Sequence, residues 1–306
     1  MSETISLYKF FQRFPDEESA RQHFERQRWP AGVVCAHCDS ADVSECKGHI
    51  PMPYRCRTCR KHFSVRTGSI LAESRLPLHK WMMAIYMLTT ARKGIPSTQM
   101  ARELGVTQKT AWFLAQRIRE TWMNRDGGSD MGPIVEIDET FIGGKERNKH
   151  ADKRLNLGRG AVGKVAVIGV LSRGQSVRAQ PISNLSGPTL HSFIHRNVTP
   201  GATVVTDTFA SYRGLRGYDH RTVNHSAGEY VRRQAHTNGI ESFWALLKRG
   251  YYGIYHYMSV KHLHRYVNEF SFRHNTASLS TMEFIGATMD NMVGRRLTYR
   301  ELVHAA

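Results

Sequence analysis

The chain has 306 residues, 41% of them hydrophobic and 10% aromatic, with 43 lysines and arginines against 26 aspartates and glutamates and a formal net charge of +17. This is a globular composition, long enough for two or three domains, and it excludes a wholly disordered chain. No run of 18 apolar residues is present, so a membrane-spanning helix and a membrane partner are not expected, whereas so large a positive charge points to a polyanion, above all nucleic acid.

In chain order, the opening MSETISLYKFFQRFPDEESARQHF carries acids throughout and lacks the apolar core of a signal peptide. Pro15 to Arg28 reads as an amphipathic helix. A turn-rich segment follows, with Cys35-x2-Cys38 and Cys56-x2-Cys59. That spacing is the pattern of a four-thiolate zinc site: each pair turns two sulfurs inward, and two pairs complete a tetrahedron around one structural Zn²⁺. Cys46 lies outside both pairs. Paired C-x-x-C cysteines fit a reducing, cytoplasmic compartment. Arg55, Arg57, Arg60, Lys61 and Arg66 on this ribbon suit phosphate contacts.

Leu78 to Arg92 predicts a helix with Trp81, Ile85 and Leu88 on its apolar stripe. Two shorter helices follow, with Ser97 or Thr98 capping the first, Leu104-Gly105-Val106 turning between them and Thr107 capping the second. This is the shape of a helix-turn-helix, in which the start of the second helix, here Gln108, Lys109 and Thr110, faces the DNA major groove, while Trp112, Leu114 and Ile118 pack inward. The polar stretch from Asn124 to Asp130 reads as a linker. Beyond it PIVEID, KVAVIGVL, VRAQPIS and TVVTD read as strands interleaved with helices, which predicts a mixed α/β domain. The expected organisation is therefore multidomain α+β: an N-terminal helix and zinc ribbon over 1–75, a helix-turn-helix domain over 76–127, and an α/β domain with C-terminal helices over 128–306.

Asp138 is read as closing the first of these strands and Asp207 as closing TVVTD, so both carboxylates are rigidly aimed, with a turn start or a helix cap as the alternative for Asp207. Glu241 lies on an amphipathic helix whose apolar stripe includes Ile240, Phe243, Trp244 and Leu247. At about 100° per residue, Lys248 falls nearly above Glu241. Asp and Glu oxygens are the right ligands for two Mg²⁺ or Mn²⁺ ions. Glu136, on the same strand face as Asp138, and the adjacent Glu139 compete for this role. Glu241 has an alternative of its own, the last place in a capping box opened by Asn238.

Several long blocks, in order, resemble bacterial insertion-sequence transposases of the zinc-ribbon DDE group, the ISXO type: RWPAGVVCAHC, YRCRTCRKHFSVRTGSI, LGVTQKTAWFLAQRIR, VEIDETFIGGKERNKH, VVTDTFASY and HTNGIESFWALLKRGYYGIYHYMSVKHLHRYVNEF. The resemblance covers nearly the whole chain. It implies an RNase H-like catalytic fold, metal ligation by Asp138, Asp207 and Glu241 with Lys248 as the accompanying base, and Asn238 as a competitor for the third position. It further implies a bacterial enzyme that cuts and joins double-stranded DNA at transposon ends and in target DNA, self-associating on DNA.

Overall fold

The computed structural model describes residues 4–123, 130–155, 161–174, 176–223 and 236–304. The expected linker from Asn124 to Asp130 lies outside them, apart from Asp130. The chain divides into two compact units, Met1–Trp122 with Ser278–Ala306, and Met123–Ala277.

The first unit begins with α1 (Leu7–Arg13), capped by Ser6, and α2 (Glu17–Arg28). Asp16 and Ser19 form a reciprocal capping box at the start of α2, so the helix begins just after the predicted Pro15. A three-stranded antiparallel sheet follows in the order β1 (Val43–Glu45), β2 (Tyr54–Cys56), β3 (His62–Phe63). The helices α3 (Leu78–Thr90), α4 (Ser97–Leu104) and α5 (Gln108–Thr121) come next. Thr107 caps α5 as expected, accepting from the Thr110 amide, whereas α4 is preceded by Pro96 and has no side-chain cap. Gly105 ends α4 at φ 60°, a left-handed conformation that favours glycine.

The last two helices, α9 (Thr281–Asp290) and α10 (Tyr299–His304), belong to this same unit and not to the sheet domain that the sequence reading extended to residue 306. The reason is apolar: α9 packs on α2 and α3, burying Phe284, Ile285 and Met289. Ser69 bridges to Val293, and the Trp122 indole donates to Thr288 at 3.1 Å.

The second unit holds a five-stranded mixed sheet in the order β6-β5-β4-β7-β8. Its strands are β4 (Ile134–Ile142), β5 (Val165–Ser172), β6 (Val177–Ile182), β7 (Thr203–Asp207) and β8 (Asp219–Val223). The first three form an antiparallel meander, and β7 and β8 run parallel to β4. Helix α6 (Gly187–Asn197) covers one face with Leu190, Phe193 and Ile194, against Val135, Ile137, Ile168, Val170 and Val204. Helices α7 (Asn238–Gly250) and α8 (Leu263–Asn275) cover the other, where Ile142, Val167 and Leu171 meet Ile240, Phe243, Trp244, Leu247 and Phe270. Each such fully buried large side chain contributes about 1.5–3 kcal/mol. Helix α7 continues into a wider π-turn, Tyr251–Tyr255, that ends at His256.

Candidate active site

Strand alternation sorts the acids of β4. Successive side chains point to opposite faces, and Val135 and Ile137 lie in the core under α6 while Ile142 lies in the core under α7. Glu136 and Asp138 therefore face α7, and Glu139 faces the other way. The contacts agree: the Trp244 indole of α7 donates to Asp138 Oδ2 at 3.1 Å, whereas Glu139 Oε2 accepts from the Tyr212 hydroxyl at 2.6 Å on the α6 side. Asp138 is not at a strand end, as the sequence reading had it, since β4 runs on to Ile142. Asp138 pairs with Gly169 inside the eight-residue β4–β5 ladder and is held in mid-strand.

Asp207 does end its strand. The parallel register pairs Glu136 with Val205, and its continuation by two residues leads to Asp138 and Asp207 on the same face. Asp207 Oδ1 accepts from the Phe209 amide at 2.9 Å, which turns the chain directly after the strand. Glu241 comes from the first turn of α7, where its Oε1 accepts from the Thr237 hydroxyl at 2.9 Å. Burial, together with the negative charge of Asp207 and Glu241, pushes the Asp138 carboxyl up to about 6, against the pull of the Glu139 and Trp244 hydrogen bonds. Burial also raises Glu139 to about 7, with Asp138 and Asp207 adding to it.

Two glycines let α7 approach. Gly169 is the β5 partner of Asp138, and a Cβ there would lie 2.8 Å from the Trp244 ring. Trp244 crosses the bare strand at this point and reaches the carboxylate. At the helix start, a Cβ on Gly239 would lie 2.8 Å from Glu136 Oε2.

Glu136, the competing candidate on the face of Asp138, is enclosed by the protein's own donors. It is 1% exposed. Its Oε2 accepts from the amides of Gly239 at 2.8 Å and Ile240 at 3.0 Å, and its Oε1 from Arg173 Nε at 2.9 Å. The His236 ring nitrogen lies 3.2 Å from Oε1 without hydrogen-bond alignment. The capping box proposed for Asn238 and Glu241 is not formed, because α7 starts at Asn238 and the amides that follow go to Glu136. Asn238 is exposed, and Lys248 is half-buried seven residues after Glu241 on the same helix. The oxygen donors Asp138, Asp207 and Glu241 suit hard divalent cations, whose charge would favour the ionised carboxylate of Asp138 against its burial and its acidic neighbours.

In the first unit, the sulfurs of Cys35, Cys38, Cys56 and Cys59 all lie within 4.8 Å of one another, the one such donor group among the described residues. Cys35 is 3.6 Å from Cys59 and Cys38 is 3.7 Å from Cys56. A tetrahedron with Zn–S bonds of about 2.3 Å has edges of about 3.8 Å, so the four thiols fit a structural zinc without rearrangement.

The basic residues divide. Arg55, Arg57, Arg60 and Lys61 are exposed on the ribbon. Arg66 is turned inward instead, donating to the carbonyls of Ser74 at 3.3 Å and Leu76 at 2.9 Å. On α5, Gln108 is exposed and donates to Ser97 at 2.8 Å, Lys109 is exposed over the Tyr299 ring at 4.6 Å, and Thr110 is half-buried beside Thr107. Leu114 and Ile118 pack inward, and Trp112 is only half-buried.

Comparison with known proteins gives two family matches: residues 130–275 to the ISXO2-like transposase domain, and residues 15–62 to the transposase zinc-ribbon domain. A curated relative, the uncharacterized protein in transposable element ISH50 of Halobacterium salinarum (strain ATCC 700922 / JCM 11081 / NRC-1), is 29% identical over 249 residues, which span 77% of this chain and 83% of that protein. A chain in the crystal structure of a pre-cleavage Mos1 transpososome aligns with 71% of this chain and 80% of its own length. At 11% identity and a TM-score of 0.20, that likeness is too low to carry an argument.

Proposed function

We infer that this chain, which belongs to the ISXO2-like zinc-ribbon transposases, cleaves DNA at the ends of an insertion element and joins the freed ends to target DNA. The feature that carries the reading is the parallel β4–β7 register, which, continued two residues past the Glu136–Val205 pair, leads Asp138 and Asp207 to the same level and face, while the charges of Asp207 and Glu241 add to what raises the Asp138 carboxyl. Two Mg²⁺ or Mn²⁺ ions bound by these carboxylates would supply an activated water or 3′-hydroxyl and charge neutralisation at the leaving oxygen. The protein's own contribution is placement. Trp244 orients Asp138 through its indole N–H, Lys248 holds a phosphate along the α7 edge, and Asp207 is fixed by the turn that follows it. Glu241 is preferred over Asn238 as the third ligand because its charge is already part of the field around Asp138.

The sheet order, an antiparallel meander with two parallel strands added beside β4, supports the RNase H-like reading of the second unit. The pair α4–α5, joined by the left-handed Gly105 and a Thr107 cap, supports a helix-turn-helix. Gln108, Lys109 and Thr110 at the start of α5 would meet the major groove, with Arg57 and Lys61 of the ribbon on phosphates. Action at paired ends implies self-association on DNA.

The test is strand transfer from a labelled, pre-cleaved element end into a plasmid. Wild-type protein joins the end in Mg²⁺, and Asp138→Asn and Asp207→Asn abolish joining while still shifting the end duplex in a gel. Unchanged joining by Asp138→Asn overturns the site, and cleavage with no joining reassigns the chain to a nuclease.

A further inference from the structure

We propose that Glu136 is a positioning residue, which fixes the start of α7 on β4 and so sets where Glu241 stands relative to Asp138. This rests on the reading that Asp138, Asp207 and Glu241 bind divalent ions.

The first turn of any helix leaves amides without intrahelical partners, and these are usually met by a local N-cap side chain. The Thr237 side chain, at the N-cap of α7, bonds the Glu241 carboxylate and caps no backbone amide of the helix. The amides of Gly239 and Ile240 are taken by a carboxylate 103 and 104 residues away in sequence, on the central strand. The helix is thus tied at its start to the strand that carries Asp138, two residues along the same face. Glu241 follows Ile240 directly, so any displacement of those amides is transmitted to the Glu241 backbone almost undiminished.

Arg173 completes the device. Its Nε donates to Glu136 Oε1 and its guanidinium also donates to the His236 carbonyl at 2.9 Å, which ties down the residue two before α7. Glu136 is not a further metal ligand on this geometry: it is 1% exposed, and each oxygen already accepts from the protein. A glutamine cannot replace it. Its single carbonyl oxygen can serve the two amides or Arg173, and its NH₂ then opposes a donor on the other side. Outer partners that orient metal ligands typically change affinity or activity ten- to a hundredfold, roughly, when removed.

The experiment uses the full-length, zinc-loaded protein and reads Mn²⁺ binding by the EPR signal of free Mn²⁺, beside cleavage of a labelled element end. Asp138→Asn abolishes binding at the acid site. Glu136→Gln weakens Mn²⁺ binding about tenfold or more and slows cleavage in parallel. Gly239→Ala, which keeps Glu136 but places a Cβ 2.8 Å from its oxygen, produces the same two losses and decides the matter if Glu136→Gln does not fold. Glu269→Gln, a fully buried carboxylate of the same unit bonded to Tyr255 and Arg273, lowers the melting temperature but leaves Mn²⁺ affinity unchanged. Wild-type affinity and cleavage in both Glu136→Gln and Gly239→Ala would overturn the proposal, as would an equal loss of affinity in Glu269→Gln. Mn²⁺ binding that survives Asp138→Asn would instead remove the metal reading, and the proposal with it.

Discussion

Neutralising Asp138 should make the metal-free sheet unit more stable at neutral pH while abolishing its activity. The carboxyl is raised from 3.8 to about 6, first by burial and then by Asp207 and Glu241. An acid whose folded pKa is raised contributes its stability below the unfolded value, here about 3.8, and loses it as pH climbs through about 6. At about 1.4 kcal/mol per pH unit, the ionised carboxylate costs the folded state up to about 3 kcal/mol above pH 7. In Asp138→Asn the Trp244 indole still finds an acceptor, so most of that cost should be recovered. Hydrogen exchange of β4 and α7 peptides, in Mg²⁺-free buffer with zinc retained, follows this unit separately from the other. The variant should be the more protected at pH 8, with the gap closing near pH 4. Saturating Mg²⁺ should then protect the wild type and leave the variant unmoved. A variant less protected than wild type at pH 8, or a gap independent of pH, would refute the reasoning.

Gly169→Ala should destabilise the same unit by about 1–3 kcal/mol through overpacking against Trp244, seen as a lower melting temperature together with slowed cleavage as the indole is moved off Asp138. Lys248→Ala should reduce single-turnover joining by about tenfold or more if one charged phosphate contact worth about 1.5–3 kcal/mol is lost, with Mn²⁺ affinity nearly unchanged; equal rates would remove Lys248 from the site. Cys56→Ser should lower zinc below one ion per chain by elemental analysis and unfold the ribbon, and full zinc occupancy would refute the four-thiolate assignment.

The cysteines could be read from the sequence because their chemistry is carried by residue type and short spacing, whereas Asp138, Asp207 and Glu241 lie far apart in the chain and were singled out by the family resemblance. The Cys₄ cluster needs two local turns, and the sulfurs meet as the spacing demands. Most strands were visible as apolar runs, whereas β8, DHRTV, is a polar edge strand with one buried residue and gave no signal. The extent of β4 was hidden by its own acids, since Glu136, Asp138 and Glu139 interrupt the apolar pattern in the middle of the sheet. The roles of those acids needed the fold. Glu136 and Asp138 share a face and a chemistry, and only the arrival of α7 shows that one is closed off by backbone amides while the other meets an indole and the field of two further carboxylates. Arg66 was misread for a similar reason, since its carbonyl acceptors are eight and ten residues away.

The return of residues 278–306 to the first unit has a consequence for synthesis. The sheet unit is continuous in the chain, so its residues are all made before residues 278–306, which the helical unit requires. Until α9 emerges, Trp122 lacks its Thr288 partner and the Ser69 edge lacks Val293. A chain truncated near residue 277 would keep the whole sheet unit but leave the helical unit without α9 and α10. Closure of the helical unit therefore waits on a segment that lies beyond the whole sheet unit in the chain.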